Sequence, residues 1–264
     1  MTVPRLPSLP FDIVLSAVVV LPQPPLLVPE LATGAAAETT GLRDACRSAV
    51  VRLAAAAPRW IAVGADPGGR RTVGPESAGT FAGFGVDVRV ALDTTPGAVT
   101  AVPDPEFPLP LLIAGWAAAG TGAALRIRGE LVAPDAAPSD CAELGATLAA
   151  ECAATDGPVG LLIVGDGAAT HTEKAPGHLD VRAGRFDEEV AAALAAADAT
   201  ALAALDPVLA EQLWAVGRAP WQVLAGAVTG TGTGTGGARW RGELLHSSAP
   251  FGVAYHVAVW TPLP

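Results

Sequence analysis

Several side chains that can carry protons or charge follow a short apolar run late in the chain. The segment GLLIVGDGAATHTEKAPG, residues 160–177, is a glycine-rich turn with four such side chains: Asp166, His171, Glu173 and Lys174. Residues 161–164 have the length and bulk of a buried parallel strand, and ligand sites in open α/β sheets lie at the carboxyl ends of such strands. The turn is therefore the first candidate for a functional site.

His171 is a candidate general acid or base. A histidine titrates near neutral pH, and a neighbouring carboxylate, Asp166 or Glu173, would orient its ring. The alternative is a turn histidine that only hydrogen-bonds the backbone. Glu173 and Lys174 are likewise consistent with an exposed local ion pair, which contributes about 0–1 kcal/mol.

The glycines of the turn, Gly165 and Gly167, leave backbone amides that can hold a ligand, so both are candidate substrate-binding positions. The segment matches neither the GxxxxGK[ST] pattern of a P-loop nor the GxGxxG spacing of a dinucleotide site. The chain also has no GxSxG motif, which argues against an α/β-hydrolase.

Composition limits the classes of partner. The 264 residues are 51% hydrophobic and 16% charged, enough for one sizeable domain with a large core. A net charge of -10 with scattered Lys and Arg argues against nucleic acid and against an anionic membrane surface. Three cysteines without CxxC spacing indicate a reducing, cytoplasmic location. Ala-rich helix surfaces suggest a homo-oligomer without fixing its size.

Two apolar segments resemble membrane signals. Residues 11–21 are interrupted by Asp12 and flanked by prolines, which favours a first buried strand over a signal peptide. Residues 107–125 are uncharged but contain two prolines and three glycines, which favours a short core helix over a membrane span.

Strand-like and helix-like segments alternate along the chain. Apolar or alternating runs predict strands at 13–21, 60–66, 86–92, 125–132 and 159–164, and an antiparallel hairpin within 240–260. Periodicity and capping residues predict helices near 36–57, 109–119, 140–154 (capped by Ser139 or Asp140), 186–197 and 206–228 (opened by Asp206 and Pro207, bent or split at Gly217 and Pro220). The composition of residues 229–237, TGTGTGTGG, predicts a flexible loop. We expect residues 1–264 to form a single α/β domain with a central, mostly parallel mixed sheet, helices on both faces and a C-terminal antiparallel hairpin.

A family resemblance extends over nearly the whole chain. The opening AVVVLPQPPLLVPE, the turn GLLIVGDGAATHTEKAPG, the helix LWAVGRAPWQVLAGAV and the ending APFGVAYHVAVW together resemble the class III extradiol ring-cleavage dioxygenases and the related Memo proteins, especially an uncharacterised branch of actinobacterial type. The resemblance implies an α/β fold with a cleft at one end of the strands. In the enzymes, two histidines and a glutamate hold a non-haem Fe(II) there for a catechol and O2, and a further histidine is the acid/base.

The resemblance places different side chains at the iron positions of this chain. Gln23 stands at the first histidine position and Asp66 is the only ligand-capable side chain near the second. Gly217 stands at the glutamate position, whereas His171 matches the catalytic histidine. An amide is a poor Fe(II) ligand and glycine has no donor, so the first coordination shell is not retained.

Three hypotheses follow. The first is a divergent dioxygenase-like protein without the Fe(II) site and without a cofactor, which keeps its cleft for a small aromatic or other small molecule, or for a partner, with Gln23 and Asp66 as binding residues. The second is an active iron dioxygenase with unconventional ligands, including a relocated site at His171, His178 and Asp180 or at His246 and His256. The third is a metal-free enzyme in which His171 transfers protons with Asp166 or Glu173.

Overall fold

The computed structural model describes residues 15–32, 38–99, 101–229 and 239–263. These residues contain nine strands and seven α-helices. The strands are β1 (Leu15–Leu21), β2 (Arg59–Ala65), β3 (Arg71–Val73), β4 (Ala78–Thr80), β5 (Arg89–Ala91), β6 (Arg126–Val132), β7 (Val159–Val164), β8 (Trp240–Ser248) and β9 (Tyr255–Pro262). The helices are α1 (Thr40–Ala56), α2 (Leu109–Ala119), α3 (Pro138–Ala153), α4 (Ala183–Ala196), α5 (Ala199–Ala203), α6 (Pro207–Gln212) and α7 (Arg218–Thr229).

Seven of these strands make one mixed sheet in the order β3-β6-β2-β7-β1-β9-β8. The central pairs β6–β2, β2–β7 and β7–β1 are parallel, whereas β3 at one edge and the β9–β8 hairpin at the other are antiparallel. The carboxyl ends of β6, β2, β7 and β1 therefore meet at one edge of the sheet, where ligands bind in open α/β folds.

Both faces of the central strands are buried because alternate residues contact different helix layers. In β1, Val18 and Val20 pack into one core with residues of α3, α4 and α7, whereas Val19 and Leu21 pack into a second core with residues of α1 and α2. This two-sided burial explains the continuous apolar runs of β1 and β7. The predicted α/β class, mixed central sheet, two helical layers and C-terminal hairpin are confirmed.

Helix α7, which begins beside the candidate site, lies very close to α3. A Cβ atom on Gly226 would lie 2.5 Å from the Ala142 carbonyl oxygen, and one on Gly145 would lie 2.5 Å from the Ala227 nitrogen. Glycine at both positions thus permits backbone contact between the helices. This contact holds the second half of α7 against α3.

Several element boundaries differ from the sequence prediction. Strand β5 is only three residues long and pairs with β4 in a separate two-stranded sheet, so the predicted strand 86–92 does not join the main sheet. The predicted Ser139 or Asp140 cap is wrong, because α3 begins at Pro138 after Ala137, whose side chain makes no capping bond. The predicted break near Gly217 is confirmed, as is Asp206, whose carboxylate accepts a hydrogen bond from Val208 N at the start of α6.

Two predictions concern membranes and a loop. Among the described residues, no helix has the length and apolar character to cross a bilayer. Most of the predicted loop 229–237 lies outside the described residues.

Candidate active site and adjoining cleft

The turn after β7 runs alongside the segment that enters β9. Gly167 N donates to Ala254 O at 2.8 Å, Ala254 N donates to Ala168 O at 2.9 Å, and His171 N donates to Gly252 O at 3.1 Å. These backbone bonds hold the His171 turn next to the start of the C-terminal strand.

A buried carboxylate in α4, Asp187, binds both strand-end segments. One oxygen, Oδ2, lies 2.6 Å from His171 Nε2, and the other, Oδ1, lies 3.1 Å from His256 Nε2. The backbone N–H of Ala168 also donates to the carboxylate, at 3.2 and 3.3 Å. On the far side of the second ring, Ser247 Oγ lies 3.0 Å from His256 Nδ1. The result is a continuous hydrogen-bonded chain from His171 through Asp187 and His256 to Ser247.

The Asp187 carboxylate determines the tautomers of the two histidines. A carboxylate can only accept, so the Nε2 atom of each ring must carry the hydrogen that is donated to it. In the neutral rings Nδ1 is then the basic nitrogen of both His171 and His256. The His171 side chain is 20% exposed whereas that of His256 is 1% exposed, so His171 is the histidine of this pair that solvent or a ligand reaches.

The carboxylate that orients the His171 ring is Asp187. The sequence predicts Asp166 or Glu173 for this role, and that prediction is wrong because neither carboxylate contacts the ring in the described structure. Glu173 and Lys174 are exposed, which leaves them on the surface of the turn. Gly167 has the role of admitting Asp187, because a Cβ atom at this position would overlap the carboxylate.

Asp166 faces a different space from His171. Its Oδ1 accepts a 2.7 Å hydrogen bond from the backbone N–H of Gln23, in the segment that follows β1. Burial raises the pKa of Asp166 to about 7, and the Gln23 bond opposes this shift only in part. Burial together with the nearby Asp166 charge also raises the pKa of Tyr255. A carboxyl group that titrates near neutrality thus lies where β1 and β7 end.

Asp166 and Gln23 line a cleft of about 700 Å³ at the carboxyl ends of β1, β6 and β7. Arg218, the first residue of α7, lines it as well, together with the exposed carboxylates Asp135 and Glu211. The apolar part of the wall includes Val208, Trp214 and Val216. The volume and the mixture of an apolar wall with a few polar groups are typical of small-molecule sites. We refer to this space as the cleft.

The three iron positions implied by the resemblance do not form a coordination site. Gln23 has a buried amide oxygen for which the described part of the chain provides no hydrogen-bond donor. Asp66 is bound to Arg71 at 2.9 Å and to the Gly68 N–H at 2.9 Å, and it does not line the cleft. At Gly217 an added Cβ would overlap the Trp221 ring and lie 2.8 Å from the Asp166 carbonyl oxygen, so a glutamate does not fit there. These residues do not fit an Fe(II) ion held by two histidines and a carboxylate.

The relocated histidine sites are also not assembled. Within the described ranges, no group of three or more His, Cys, Asp or Glu side chains is arranged to hold a metal ion. His246 binds Ser248 Oγ at 2.7 Å, and His178 is an exposed residue with a positive φ of 60°.

Gly165 brings β7 and α7 together. A Cβ atom on Gly165 would lie 2.6 Å from Gly217 Cα, and Gly217 N donates to Asp166 O at 2.8 Å. The predicted substrate-binding glycines Gly165 and Gly167 thus have packing roles at the site: the first admits the start of α7 and the second admits Asp187.

Sequence interpretation missed Asp187, Arg218 and Trp214. Asp187 had a usable signal, since it lies three and seven residues before Val190 and Leu194 and so shares the apolar face of α4. A charged residue on an apolar helix face is buried only with partners, so this position indicates polar groups elsewhere in the chain without identifying them. Arg218 gave a weaker signal, as a charge between Gly217 and the apolar residues of α7.

Comparisons with known proteins support the fold only. No family model matches the chain, and no curated protein matches it. The crystal structure of an uncharacterized protein, JW3007, from Escherichia coli K12 is similar, with a TM-score of 0.50 and 13% sequence identity over 93% of this chain and 99% of that chain. At this identity the similarity shows a shared α/β fold and carries no statement about activity.

The hydrogen bonds from His171, His256 and Ala168 to Asp187, which we call the Asp187 tie, give a prediction about stability. Asp187→Asn replaces one acceptor oxygen by an amide NH2 group, which is a donor. One histidine ring then loses its acceptor or must change tautomer. We expect a loss of about 2–4 kcal/mol in the free energy of unfolding, measured by urea denaturation. Glu188→Gln, an exposed neighbour on the same helix, is the matched control and should change stability by no more than about 0.5 kcal/mol. Equal effects of the two substitutions would show that the tie does not stabilise the fold.

Asp166 gives a prediction about pH. Its pKa is about 7 in the folded chain and about 3.9 in an unfolded one, so the folded state binds more protons between these values. By linkage, stability falls as pH rises from about 4 to about 7 and is level above that. Asp166→Asn keeps an acceptor for Gln23 N–H and removes this dependence, so it should gain a few kcal/mol relative to the wild type between pH 5 and pH 8.

Urea unfolding of wild type and Asp166→Asn at pH 5 and at pH 8 measures this difference in the free energy of unfolding. Asp135→Asn, which removes an exposed carboxylate from the same cleft, is the control and should follow the wild-type profile. Parallel profiles for wild type and Asp166→Asn would contradict the assignment.

Proposed function

We propose that this chain is a divergent relative of the class III extradiol dioxygenases that has lost the Fe(II) site and binds a small molecule in the cleft. The observation that carries the proposal is the packing at Gly217. The position that matches the glutamate ligand is filled by direct contact between β7 and α7, so it has no room for a side chain. The adjoining cleft of about 700 Å³ nevertheless remains large enough for a metabolite.

The proposed setting is the cytoplasm. All three cysteines, Cys46, Cys141 and Cys152, are buried and unpaired. Burial raises the pKa of the Cys46 thiol to about 12, which keeps it protonated and unreactive.

Iron binding and ligand binding test the proposal together. Under anaerobic conditions we expect no stoichiometric uptake of Fe(II) by metal analysis, and no catechol-dependent O2 consumption when air is admitted. In ligand-observed NMR with a fragment mixture, we expect compounds that bind the wild type and are lost from Val216→Trp, which fills the cleft.

Val181→Trp is the matched control, because Val181 is 89% exposed and does not line the cleft. Its fragment binding should equal that of the wild type. Stoichiometric Fe(II) with catechol-dependent O2 uptake would overturn the loss of the iron site. Fragment binding that is insensitive to Val216→Trp would overturn the use of the cleft.

The raised pKa of Asp166 favours a second candidate function, metal-free proton transfer in the same cleft. A general acid/base is most efficient when its pKa is near the working pH, and Asp166 at about 7 meets this condition. His171, which is partly exposed and has Asp187 at its Nε2, is a second group of the region suited to proton transfer.

Metabolite profiling tests this candidate. A cell-extract metabolite mixture incubated with the wild type should lose at least one compound, measured by mass spectrometry. Asp166→Asn should slow that loss by about 10²-fold or more, and Glu188→Gln, at an exposed residue that does not line the cleft, should leave it unchanged. An unaltered mixture, or equal consumption by wild type and Asp166→Asn, would count against proton transfer by Asp166.

A further inference from the structure

The wall of the cleft contains a buried positive charge, Arg218, that the proposed function does not use. Arg218 is 2% exposed, yet no carboxylate of the described residues lies within ion-pair distance of its guanidinium. Buried charges in proteins are normally paired, because the loss of hydration must be compensated. An unpaired buried arginine in the wall of a cleft therefore calls for a partner.

The hydrogen bonds of Arg218 leave donors free. Nη1 donates to Ala136 O at 2.5 Å and to Gln222 Oε1 at 3.0 Å, and Nη2 donates to Pro134 O at 2.6 Å. The buried Nε atom has no hydrogen-bond partner among the described residues. A guanidinium has five N–H donors, so these three bonds leave two without an acceptor, one of them on Nε. Because the carbonyl partners are neutral, they orient the group without cancelling its charge.

The groups around Arg218 leave its positive charge in place. Burial lowers the pKa of Arg218, whereas the nearby Cys141, Asp135 and Glu211 raise it. Arginine remains protonated in proteins even when it is buried. Asp135 and Glu211 are exposed, so solvent screens their charges. The third acidic group of the cleft, Asp166, is largely neutral below its pKa of about 7.

The rest of the wall suits an apolar body. Val208 and Trp214 line the cleft with 58% and 56% of their surface exposed, although both are large hydrophobic residues. The positive φ of Trp214, 56°, belongs to the left-handed end of α6, where Trp214 N donates to Glu211 O and Ala215 N donates to Ala210 O. Exposed apolar surface beside a buried charge indicates a ligand with the complementary distribution.

We propose that the cleft binds small molecules that combine an apolar body with a carboxylate, and that the carboxylate pairs with Arg218. The unused N–H on Nη2 donates to one of its oxygens, the positive charge of the guanidinium attracts the carboxylate, and the apolar body covers Val208 and Trp214. A buried guanidinium without an anionic partner favours a carboxylate over a neutral group. This inference rests on the proposed use of the cleft for a small molecule and adds the chemical class of that molecule.

Matched pairs of acid and amide test the inference on the unaltered protein. Hexanoate and benzoate are compared with hexanamide and benzamide at pH 6, where Asp166 is mostly protonated, by ligand-observed NMR titration. The paired amides keep the shape and lack the charge, so we expect each acid to bind about tenfold or more tightly than its amide. Equal affinities within a pair would overturn the role of the charge while leaving small-molecule binding in the cleft intact. If no compound of either pair binds, and the fragment mixture also fails, the proposed function itself fails.

Two substitutions of Arg218 connect the discrimination to this residue. Arg218→Met keeps an apolar stem without charge and should abolish the preference for acids, whereas Arg218→Lys should retain part of it. Because Arg218→Met also breaks the bonds to Pro134 and Ala136, its folding is checked by urea denaturation, and Arg218→Lys remains informative if the methionine variant unfolds. Arg185→Met removes an exposed arginine paired with Glu189 and is the matched control. A full acid preference in both Arg218 variants would overturn the assignment.

Discussion

A single buried carboxylate, Asp187, connects three segments that are far apart in sequence. It extends from α4 to the turn after β7 through His171 and Ala168, and to β9 through His256. The two histidines satisfy its two oxygens, and the carboxylate in turn fixes which nitrogen of each ring carries hydrogen. The backbone bonds between this turn and the segment entering β9 hold the same two segments together. The orientation of the His171 ring depends on Asp187, because this carboxylate accepts the hydrogen of His171 Nε2.

The tie is possible only because the chain has glycine at the points of closest approach. Gly167 leaves space for the Asp187 carboxylate, and Gly165 leaves space for Gly217 at the start of α7. Each contact excludes a Cβ atom, so the three glycines have packing roles. The same packing removes the room for a side chain at position 217.

Sequence patterns predicted the layers of the fold but not the contacts of the site. The buried strands and long helices have periodic apolar residues, and these alone specify which faces meet. The pairing of His171 with Asp187 depends on how α4 lies against the end of β7, and no local pattern reports this. The carboxylates near His171 in sequence, Asp166 and Glu173, were the natural choices, yet one faces the cleft and the other is exposed. The short β4–β5 sheet escaped prediction for a similar reason, because each of its strands has only three residues and pairs with a segment about ten residues away.

The proposed function, together with the packing at Gly217, accounts for the charges in the cleft. In the enzymes that the chain resembles, a glutamate helps to hold a cation, and the cation supplies the positive charge that a substrate meets. Here the matching position is Gly217, and the next residue, Arg218, is a buried cation fixed by three neutral acceptors. On the proposed function, a glycine has replaced a metal ligand beside a permanent guanidinium, and the cleft keeps a positive charge that needs no metal. Asp166, neutral below about pH 7, does not cancel it. A cleft with this arrangement favours an anionic group over the neutral phenol of a catechol, because only the anion compensates the buried arginine.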